Sequence, residues 1–240
     1  MKTEPIYLDD PYRKEMVGRI IDVIPEKEGV WRLILDKTVF YPMGGGQPTD
    51  QGIFLFPDGS QGEVYQVLLK DGEINHYVKT SLCPSVGMEV KGSIDWERRY
   101  KNMRVHSAGH VIDFSMYLLG LSPSPLHPIK GDHGKKPFVL YQGLMEREIK
   151  DELQKKCNEL IAKDHSFSWA FDLLENIEKE AIYLQPGLPK NKPLRALKLE
   201  GVGVVADGGT IVASTQEVGN VTILGVEVAE GNTCIKYQVI

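Results

Sequence analysis

The sequence contains little cysteine and no long apolar segment. Its 240 residues include three cysteines, Cys83, Cys157 and Cys234, which are widely separated and form no Cys-x-x-Cys pair. This pattern excludes a disulfide framework and a closed four-cysteine metal site, and it predicts free thiols in a reducing compartment. No apolar stretch approaches the roughly 18 residues of a transmembrane helix, and the first residues form no apolar signal core. We therefore expect a cytoplasmic protein with no membrane partner.

Positive charge is not in excess either. The chain has 28 Lys and Arg against 33 Asp and Glu, which gives a formal net charge of −5. This balance argues against a non-specific nucleic-acid coat, although a local basic face would suffice to contact RNA. Two segments of the sequence are rich in basic residues, which either form such a face or are ordinary surface charges. The first contains Lys91, Arg98, Arg99, Lys101 and Arg104, and the second contains Lys190, Lys192, Arg195 and Lys198.

The hydrophobic pattern changes near residues 88–94. Before this point, short alternating strands such as Trp31–Asp36 are separated by turn signals such as Asp71-Gly72, which predicts a small β-barrel or sandwich. After it, we expect helices over 95–119, 146–163 and 175–181, and strands over 194–205, 210–214, 220–228 and 235–240. The order of helices followed by strands predicts the α+β class. We assign residues 1–90 to an N-terminal β-barrel and residues 91–240 to an α+β domain with an antiparallel sheet and helices.

One short motif on the first predicted helix is suited to metal binding. His106 and His110 are four residues apart, so their side chains lie on one helix face and can share a divalent metal. Two helix histidines more often pack or face solvent, and that interpretation stays open. Ser107 stands where a metalloprotease His-Glu-x-x-His motif has its glutamate, which disfavours peptide hydrolysis by that route.

Two other motifs are rich in glycine. In the segment Phe40–Pro48, three glycines precede Gln47, and glycine permits a positive φ and close approach of backbone amides to a ligand. A flexible turn is the simpler interpretation, and no Walker loop is present because no Gly-Lys-Ser/Thr follows. The segment Asp207-Gly208-Gly209-Thr210 by itself predicts a hairpin turn.

Taken together and in this order, the three motifs resemble one family. Phe40-Tyr41-Pro42-x-Gly44-Gly45-Gly46-Gln47-Pro48-x-Asp50-x-Gly52 is similar to the glycine motif of the alanyl-tRNA synthetase editing domain and of its free-standing homologues, the AlaX proteins. This editing domain is also the second additional domain of threonyl- and alanyl-tRNA synthetases. Asp95-Trp96-x-Arg98-Arg99 through His106-Ser107-Ala108-x-His110 resembles their first metal-binding segment, and Leu194-Arg195-Ala196 through Thr215-x-Glu217-Val218-Gly219 resembles the segment with their second metal motif. The likeness covers nearly the whole chain and includes the N-terminal barrel of the longer AlaX proteins.

The resemblance implies a zinc-dependent deacylase that edits in trans. It would hydrolyse the ester of seryl-tRNA(Ala) or glycyl-tRNA(Ala) and would bind the acceptor end of tRNA(Ala). His106, His110, Asp207 and Gln47 are implied as catalytic residues, and the first three also as ligands of Zn²⁺. Gln47 would recognise the amino acid, and the other implied substrate contacts are Gly44, Gly45, Gly46, Thr210 and Arg104.

The second metal motif departs from the family pattern. The family has Cys-x-x-x-His, whereas this chain has Asp207 and Ile211 at those two positions. Isoleucine cannot bind a metal, but aspartate binds zinc through oxygen, so His106, His110 and Asp207 would form a three-ligand set with an open position, as catalytic zinc sites do. His127 and His133 lie in the segment Pro123–Pro137. Either of them would supply the missing ligand, or both are ordinary loop histidines.

Two alternative functions follow from the same departure. In the first, the site has decayed and the chain only binds aminoacyl-tRNA or a synthetase. In the second, the chain is a metal-dependent hydrolase of a small ester or amide.

Overall fold

The computed structural model describes residues 2–240. The chain divides into two compact units, Met1–Lys101 and Asn102–Ile240, and the division falls within one long helix. The domain assignment made from the sequence, with its boundary at residue 90, stays a proposal. Within the described residues, every helix is too short or too polar to span a lipid bilayer.

The first unit is built around a closed barrel. Its elements are β1 (Glu4–Pro5), α1 (Ile6–Asp9), β2 (Glu15–Lys27), β3 (Val30–Leu35), β4 (Lys37–Thr38), β5 (Gly52–Leu55), β6 (Gln61–Lys70), β7 (Glu73–Lys79) and β8 (Glu89–Ile94). Six strands close the barrel in the order β2-β3-β7-β6-β5-β8, and every neighbouring pair is antiparallel. The predicted barrel is confirmed.

Local sequence explains the strand pairing in this barrel. At the start of β2, exposed and buried residues alternate from Glu15 to Ile20, so that one face of the strand lines the core. Asp71 and Gly72 both have positive φ, at 53° and 80°, which is the type I′ geometry that joins two antiparallel strands directly. The barrel interior is filled by a cluster of buried apolar side chains that includes Leu33, Phe54 and Val78.

The second unit combines helices with two antiparallel sheets. Its elements are α2 (Trp96–Leu118), which begins in the first unit, then β9 (His127–Asp132), β10 (Phe138–Gln142), α3 (Lys150–Ala162), β11 (Phe167–Asp172), α4 (Leu174–Ile177), β12 (Leu194–Leu199), β13 (Gly203–Ala206), α5 (Thr215–Val218), β14 (Val221–Ala229) and β15 (Asn232–Val239). One sheet has the order β14-β15-β10-β9 and the other has the order β11-β12-β13. The α+β class is confirmed.

Helix α2 has defined signals at both ends. The Asp95 carboxylate accepts a hydrogen bond from the backbone N–H of Arg98 at 3.1 Å, as an N-cap side chain does. At the other end Gly120 adopts a φ of 68°, its N–H donates to the Tyr117 carbonyl, and the Leu121 N–H donates to the Met116 carbonyl. This pair of bonds is a Schellman motif, which requires the left-handed conformation that glycine adopts readily.

Several parts of the predicted secondary structure are wrong. The strand expected over 194–205 is the hairpin of β12 and β13, because Gly201, at a φ of 72°, turns the chain between them. Residues 210–214 form no regular strand: Val212 N–H donates to Ser107 Oγ at 3.1 Å, Ala213 N–H donates to Glu217 Oε1 at 3.2 Å, and Ser214 makes an isolated bridge to Ser166. The segment Pro123–Pro137 is not only a loop, since it contains β9, which pairs with β10.

Candidate metal site

The two histidines of α2 are buried side by side. His106 and His110 are 2% and 6% exposed, and their rings stack with centroids 5.0 Å apart and planes inclined by 22°. The spacing of four residues places both side chains on the same helix face, as the sequence predicted. Neither ring nitrogen of His110 makes a hydrogen bond within residues 2–240. Since buried imidazole nitrogens are normally bonded, this side chain fits a site that is completed by a ligand.

The carboxylate of Asp207 completes a group of three. Asp207 follows β13 directly, and its Oδ1 lies 3.3 Å from Nε2 of His106 and 3.4 Å from Nε2 of His110. Metal–ligand bonds of about 2.0–2.1 Å in a tetrahedron give ligand–ligand edges of roughly 3.3–3.4 Å. The two distances to Asp207 Oδ1 match that edge length. The three ligand atoms lie within 4.8 Å of one another, so these side chains fit a single metal ion.

Burial and mutual attraction set the charges of this group. Burial would raise the pKa of Asp207, but the adjacent histidines outweigh it and hold that pKa well below its ordinary value. Burial lowers the pKa of His106 by more than Asp207 raises it. Burial also lowers the pKa of His110, but there the attraction of Asp207 prevails and the pKa is raised. An ionised aspartate and a neutral His106 are the forms that bind metal.

The second oxygen of Asp207 has different partners. Oδ2 accepts hydrogen bonds from Nη1 of Arg195 at 3.2 Å and from the Gly209 N–H at 3.0 Å. Arg195 is itself buried. The sequence placed Arg195 in a basic segment and in the segment that resembles the second metal motif, but its contact with Asp207 was missed.

His133 lies against the site but outside the ligand cluster. Its ring stacks on His106 with centroids 4.4 Å apart and planes inclined by 19°. Tyr237 donates its hydroxyl to the Val105 carbonyl at 3.0 Å, so it accepts from Nδ1–H of His133 at 2.6 Å. Burial, followed by the nearby histidines, holds the pKa of His133 well below its ordinary value. The stacked ring therefore packs directly against His106.

The other loop histidine occupies a different environment. The ring of His127 is half-buried and lies 6.5 Å from that of Tyr183 in an edge-to-face arrangement. Within residues 2–240, the three-ligand cluster includes neither His127 nor His133.

A second buried carboxylate lies one turn beyond His110 and was missed from the sequence. Asp113 accepts hydrogen bonds from the hydroxyls of Tyr141 and Tyr183, the latter at 2.8 Å. Burial raises the pKa of Asp113. The signal that would have found it is its spacing of three residues from His110, because that spacing keeps it near the same helix face.

The glycine loop of the first unit forms a tight turn. The Gln47 N–H donates to the Gly44 carbonyl at 2.8 Å, and Gly45 and Gly46 have φ values of 52° and 77°. The three glycines are exposed, whereas the Gln47 side chain is fully buried. Asp50 closes the base of this loop by accepting from the Tyr41 N–H at 2.7 Å. The substrate-binding role of these residues stays a prediction.

The remaining predicted contact residues are held by internal bonds. Thr210 is fully buried directly after Gly209. Arg104 donates to the main-chain carbonyls of Val218 at 3.1 Å and Ile240 at 2.8 Å. The roles of Thr210 and Arg104 stay predictions.

In the two basic segments, the arginines and the lysines lie in different environments. Arg99 is fully buried and paired with Asp50, and Arg98 donates to the Thr49 carbonyl at 2.9 Å. Arg104 and Arg195 make the internal bonds given above. The lysines of the two segments are exposed: Lys91, Lys101, Lys190, Lys192 and Lys198. Any phosphate contact from these segments would therefore depend mainly on lysine.

Known proteins match both the barrel and the whole chain. Residues 14–98 match the family model of class II (A) tRNA synthetases. The chain is 34% identical to an alanine–tRNA ligase of Pyrococcus abyssi over 232 residues, which is 94% of this chain but 24% of that protein. The chain thus spans about a quarter of the length of the ligases that it matches.

Free-standing editing proteins match over more of their own length. The chain is 31% identical to the alanyl-tRNA editing protein AlaX-L of Pyrococcus horikoshii, covering 92% of this chain and 54% of that protein. It is 32% identical to the alanyl-tRNA editing protein AlaX-M of Saccharolobus solfataricus over 240 residues, covering 94% of this chain and 93% of that protein. The chain belongs to the AlaX family of alanyl-tRNA editing proteins.

Proposed function

We propose that this chain is a trans-editing hydrolase that deacylates mischarged aminoacyl-tRNA(Ala) carrying serine or glycine, by means of a metal-activated water. The observation that carries the proposal is the cluster of His106, His110 and Asp207 ligand atoms within 4.8 Å, in a chain that matches AlaX-M over 93% of the length of that protein. The partner is the acceptor end of tRNA(Ala).

The donor set favours zinc in a catalytic site. Two imidazole nitrogens and one carboxylate oxygen are ordinary zinc ligands, and three protein ligands leave the fourth position open. A zinc ion held there would act as a Lewis acid and lower the pKa of a water at the open position. Ile211, where the family has a histidine, is fully buried and offers no ligand atom.

Other side chains would bind and orient the substrate. The exposed turn Gly44–Gly46 would approach the aminoacyl group, and Gln47 would recognise it through an amide that both donates and accepts. Thr210 would orient the ester from its position next to Gly209. The half-buried Arg104 and the exposed lysines would contact the acceptor stem, because phosphate contacts need only a local positive face.

The test combines metal content with deacylation. We expect protein purified without chelator to contain about one zinc ion per chain, and to hydrolyse seryl-tRNA(Ala) or glycyl-tRNA(Ala) faster than alanyl-tRNA(Ala). Removing the metal should abolish the activity, and adding zinc back should restore it. Asp207→Ala removes one ligand and should lose both metal and activity, whereas Asp151→Ala, at an exposed aspartate of α3, should lose neither.

Three results would contradict the proposal in different ways. Protein that contains no metal and takes up none would show that the three side chains do not form a zinc site. Tight binding of tRNA(Ala) with deacylation no faster than the uncatalysed reaction would identify a binding module. Zinc-dependent hydrolysis of small esters, with every aminoacyl-tRNA(Ala) left intact, would identify a different hydrolase.

A further inference from the structure

The carboxylate of Asp207 divides its two oxygens between different partners. Oδ1 faces the two imidazoles at 3.3 and 3.4 Å, as the candidate metal site requires. Oδ2 accepts from Nη1 of Arg195 and from the Gly209 N–H. A buried carboxylate oxygen needs such donors, and charged donors bind it most strongly. The two donors therefore fix the rotation of the carboxylate so that only Oδ1 is presented to the histidines.

The register of one β-hairpin brings Arg195 to this position. β12 and β13 pair with Ala196 opposite Ala206, and one residue farther the Asp207 N–H donates to the Arg195 carbonyl at 3.0 Å. Asp207 and Arg195 therefore lie opposite each other where the hairpin opens. The pairing depends on main-chain bonds, so the contact is part of the fold of this hairpin.

The guanidinium of Arg195 is held from two further directions. Nη1 also donates to the Gly209 carbonyl at 2.7 Å, and Cζ lies 4.5 Å from the centroid of the Trp169 ring. Arg195 is 4% exposed, so water does not compete strongly for its charge. A planar group held by an aromatic face and a carbonyl presents its donor to Asp207 in one orientation.

We infer that Arg195 is a positioning residue that makes Asp207 a one-oxygen ligand and so keeps the fourth coordination position of the metal open. A carboxylate that is free to turn can bind a metal through both oxygens, as carboxylates do in other metal sites. In this site a second oxygen would fill the position needed by water or by the ester carbonyl. The inference rests on the metal site of the proposed function, but it is independent of the tRNA substrate.

Cobalt substitution reports the coordination number directly. Four-coordinate Co²⁺ absorbs visible light several-fold more strongly than five- or six-coordinate Co²⁺. We expect one Co²⁺ per chain and strong absorption in the wild-type protein. Arg195→Met should still bind one Co²⁺ with several-fold weaker absorption, and should lose roughly 10- to 100-fold in deacylation kcat with little change in KM. The matched control is Arg147→Met, which removes an exposed arginine paired with Glu152 and should leave the spectrum unchanged.

Two more variants keep the test decisive if Arg195→Met does not fold. Arg195→Lys keeps the charge but cannot bridge Asp207 and the Gly209 carbonyl in the same plane, and Trp169→Leu removes the aromatic face alone. Both should weaken the absorption in the same direction as Arg195→Met. A residue that only stabilises the fold would lower the melting temperature and leave the Co²⁺ spectrum of the folded protein intact.

The failure of this inference is distinct from the failure of the proposed function. A wild-type protein that binds no metal overturns the proposed function. A wild-type protein that binds Co²⁺, together with folded variants that keep the wild-type spectrum, overturns the role of Arg195 alone. Complete loss of metal from folded Arg195→Met also overturns that role, because a released carboxylate would still offer its oxygens.

Discussion

The buried ion pair at the base of the glycine loop provides a quantitative test of the barrel unit. Arg99 is fully buried, and its Nε donates to the Asp50 carboxylate at 2.9 Å. Its Nη1 donates to the Pro11 carbonyl at 2.8 Å and its Nη2 to the Val39 carbonyl at 2.5 Å. Asp50→Asn keeps the shape of the side chain but removes the only carboxylate that these bonds give to Arg99.

Asp50→Asn should lower the stability of the barrel unit because it leaves Arg99 without its ion-pair partner. The Arg99 charge would stay buried with neutral carbonyls as its partners, and removing one member of a buried ion pair costs about 3–5 kcal/mol. The new NH₂ group would also face a donor in either orientation of the amide: the Tyr41 N–H, which now donates to Asp50 Oδ2 at 2.7 Å, or Nε of Arg99, which now donates to Oδ1 at 3.1 Å. We therefore expect Asp50→Asn to lower the free energy of unfolding of this unit by about 3–5 kcal/mol.

A double variant separates the charge effect from the loss of packing. Asp50→Leu combined with Arg99→Met leaves no unpaired charge, although the Pro11 and Val39 carbonyls lose a donor and the Tyr41 N–H loses an acceptor, at about 1–3 kcal/mol each. The combined loss should be clearly smaller than the sum of the two single losses. Chemical denaturation followed by circular dichroism measures all of these variants, with Asp9→Asn on the exposed surface as the control. A change of less than about 1 kcal/mol in the unfolding free energy of Asp50→Asn would refute the expected cost of a buried, unpaired Arg99 charge.

Three further changes test other parts of the chain. Burial lowers the pKa of His76 to about 4, against about 6.5 in an unfolded chain. The free energy of unfolding should therefore be highest above pH 6.5 and fall by up to about 3 kcal/mol as the pH approaches 4. His76→Gln should remove this pH dependence, and a stability difference between wild type and variant that is equal at pH 7 and pH 4.5 would disprove the prediction. Gly109→Ala should destabilise the second unit by roughly 1–3 kcal/mol, because a Cβ there would come within 2.5 Å of His133 Cε1. This loss should exceed the gain from the higher helix propensity of alanine, and a rise in melting temperature would contradict the prediction. Gly52→Ala should cost more than about 3 kcal/mol, because its Cβ would lie 2.1 Å from the Ser93 carbonyl oxygen, and soluble, fully folded protein of wild-type stability would show the prediction to be wrong.

The barrel and helix α2 could be predicted from local patterns in the sequence, whereas strands β10 and β11 were missed. The alternation at the start of β2, the Asp71-Gly72 turn and the signals at Asp95 and Gly120 each act within a few residues, so they indicate elements directly. The strand expected over 210–214 failed for the opposite reason. Its apolar residues are buried, but their backbone groups bond to the side chains of Ser107 and Glu217, and no local pattern distinguishes that environment from a sheet.

The candidate metal ligands could also be predicted from the sequence, but the residues that pack against them could not. The spacing of His106 and His110 indicates a shared helix face, and the family resemblance adds Asp207. The stacking of His133 on His106 depends on Gly109 and Gly131, where a Cβ would come within 2.5 Å of the His133 ring. The contact with Gly109 joins α2 to the residue that directly follows β9, more than 20 residues away in sequence, so it becomes visible only when the chain is folded.

Replacement of a thiolate by a carboxylate demands more of the surrounding protein than the sequence motif suggests. A thiolate offers one ligand atom, whereas Asp207 brings a second buried oxygen that must be satisfied. The donor for that oxygen, Arg195, is separated from Asp207 by 12 residues, yet the β12–β13 register places the two directly opposite each other. A search for the missing ligand near Ile211 would overlook this contact. The β12–β13 register thus supplies a buried charged donor to the oxygen that faces away from the histidines, which supports the proposed metal site.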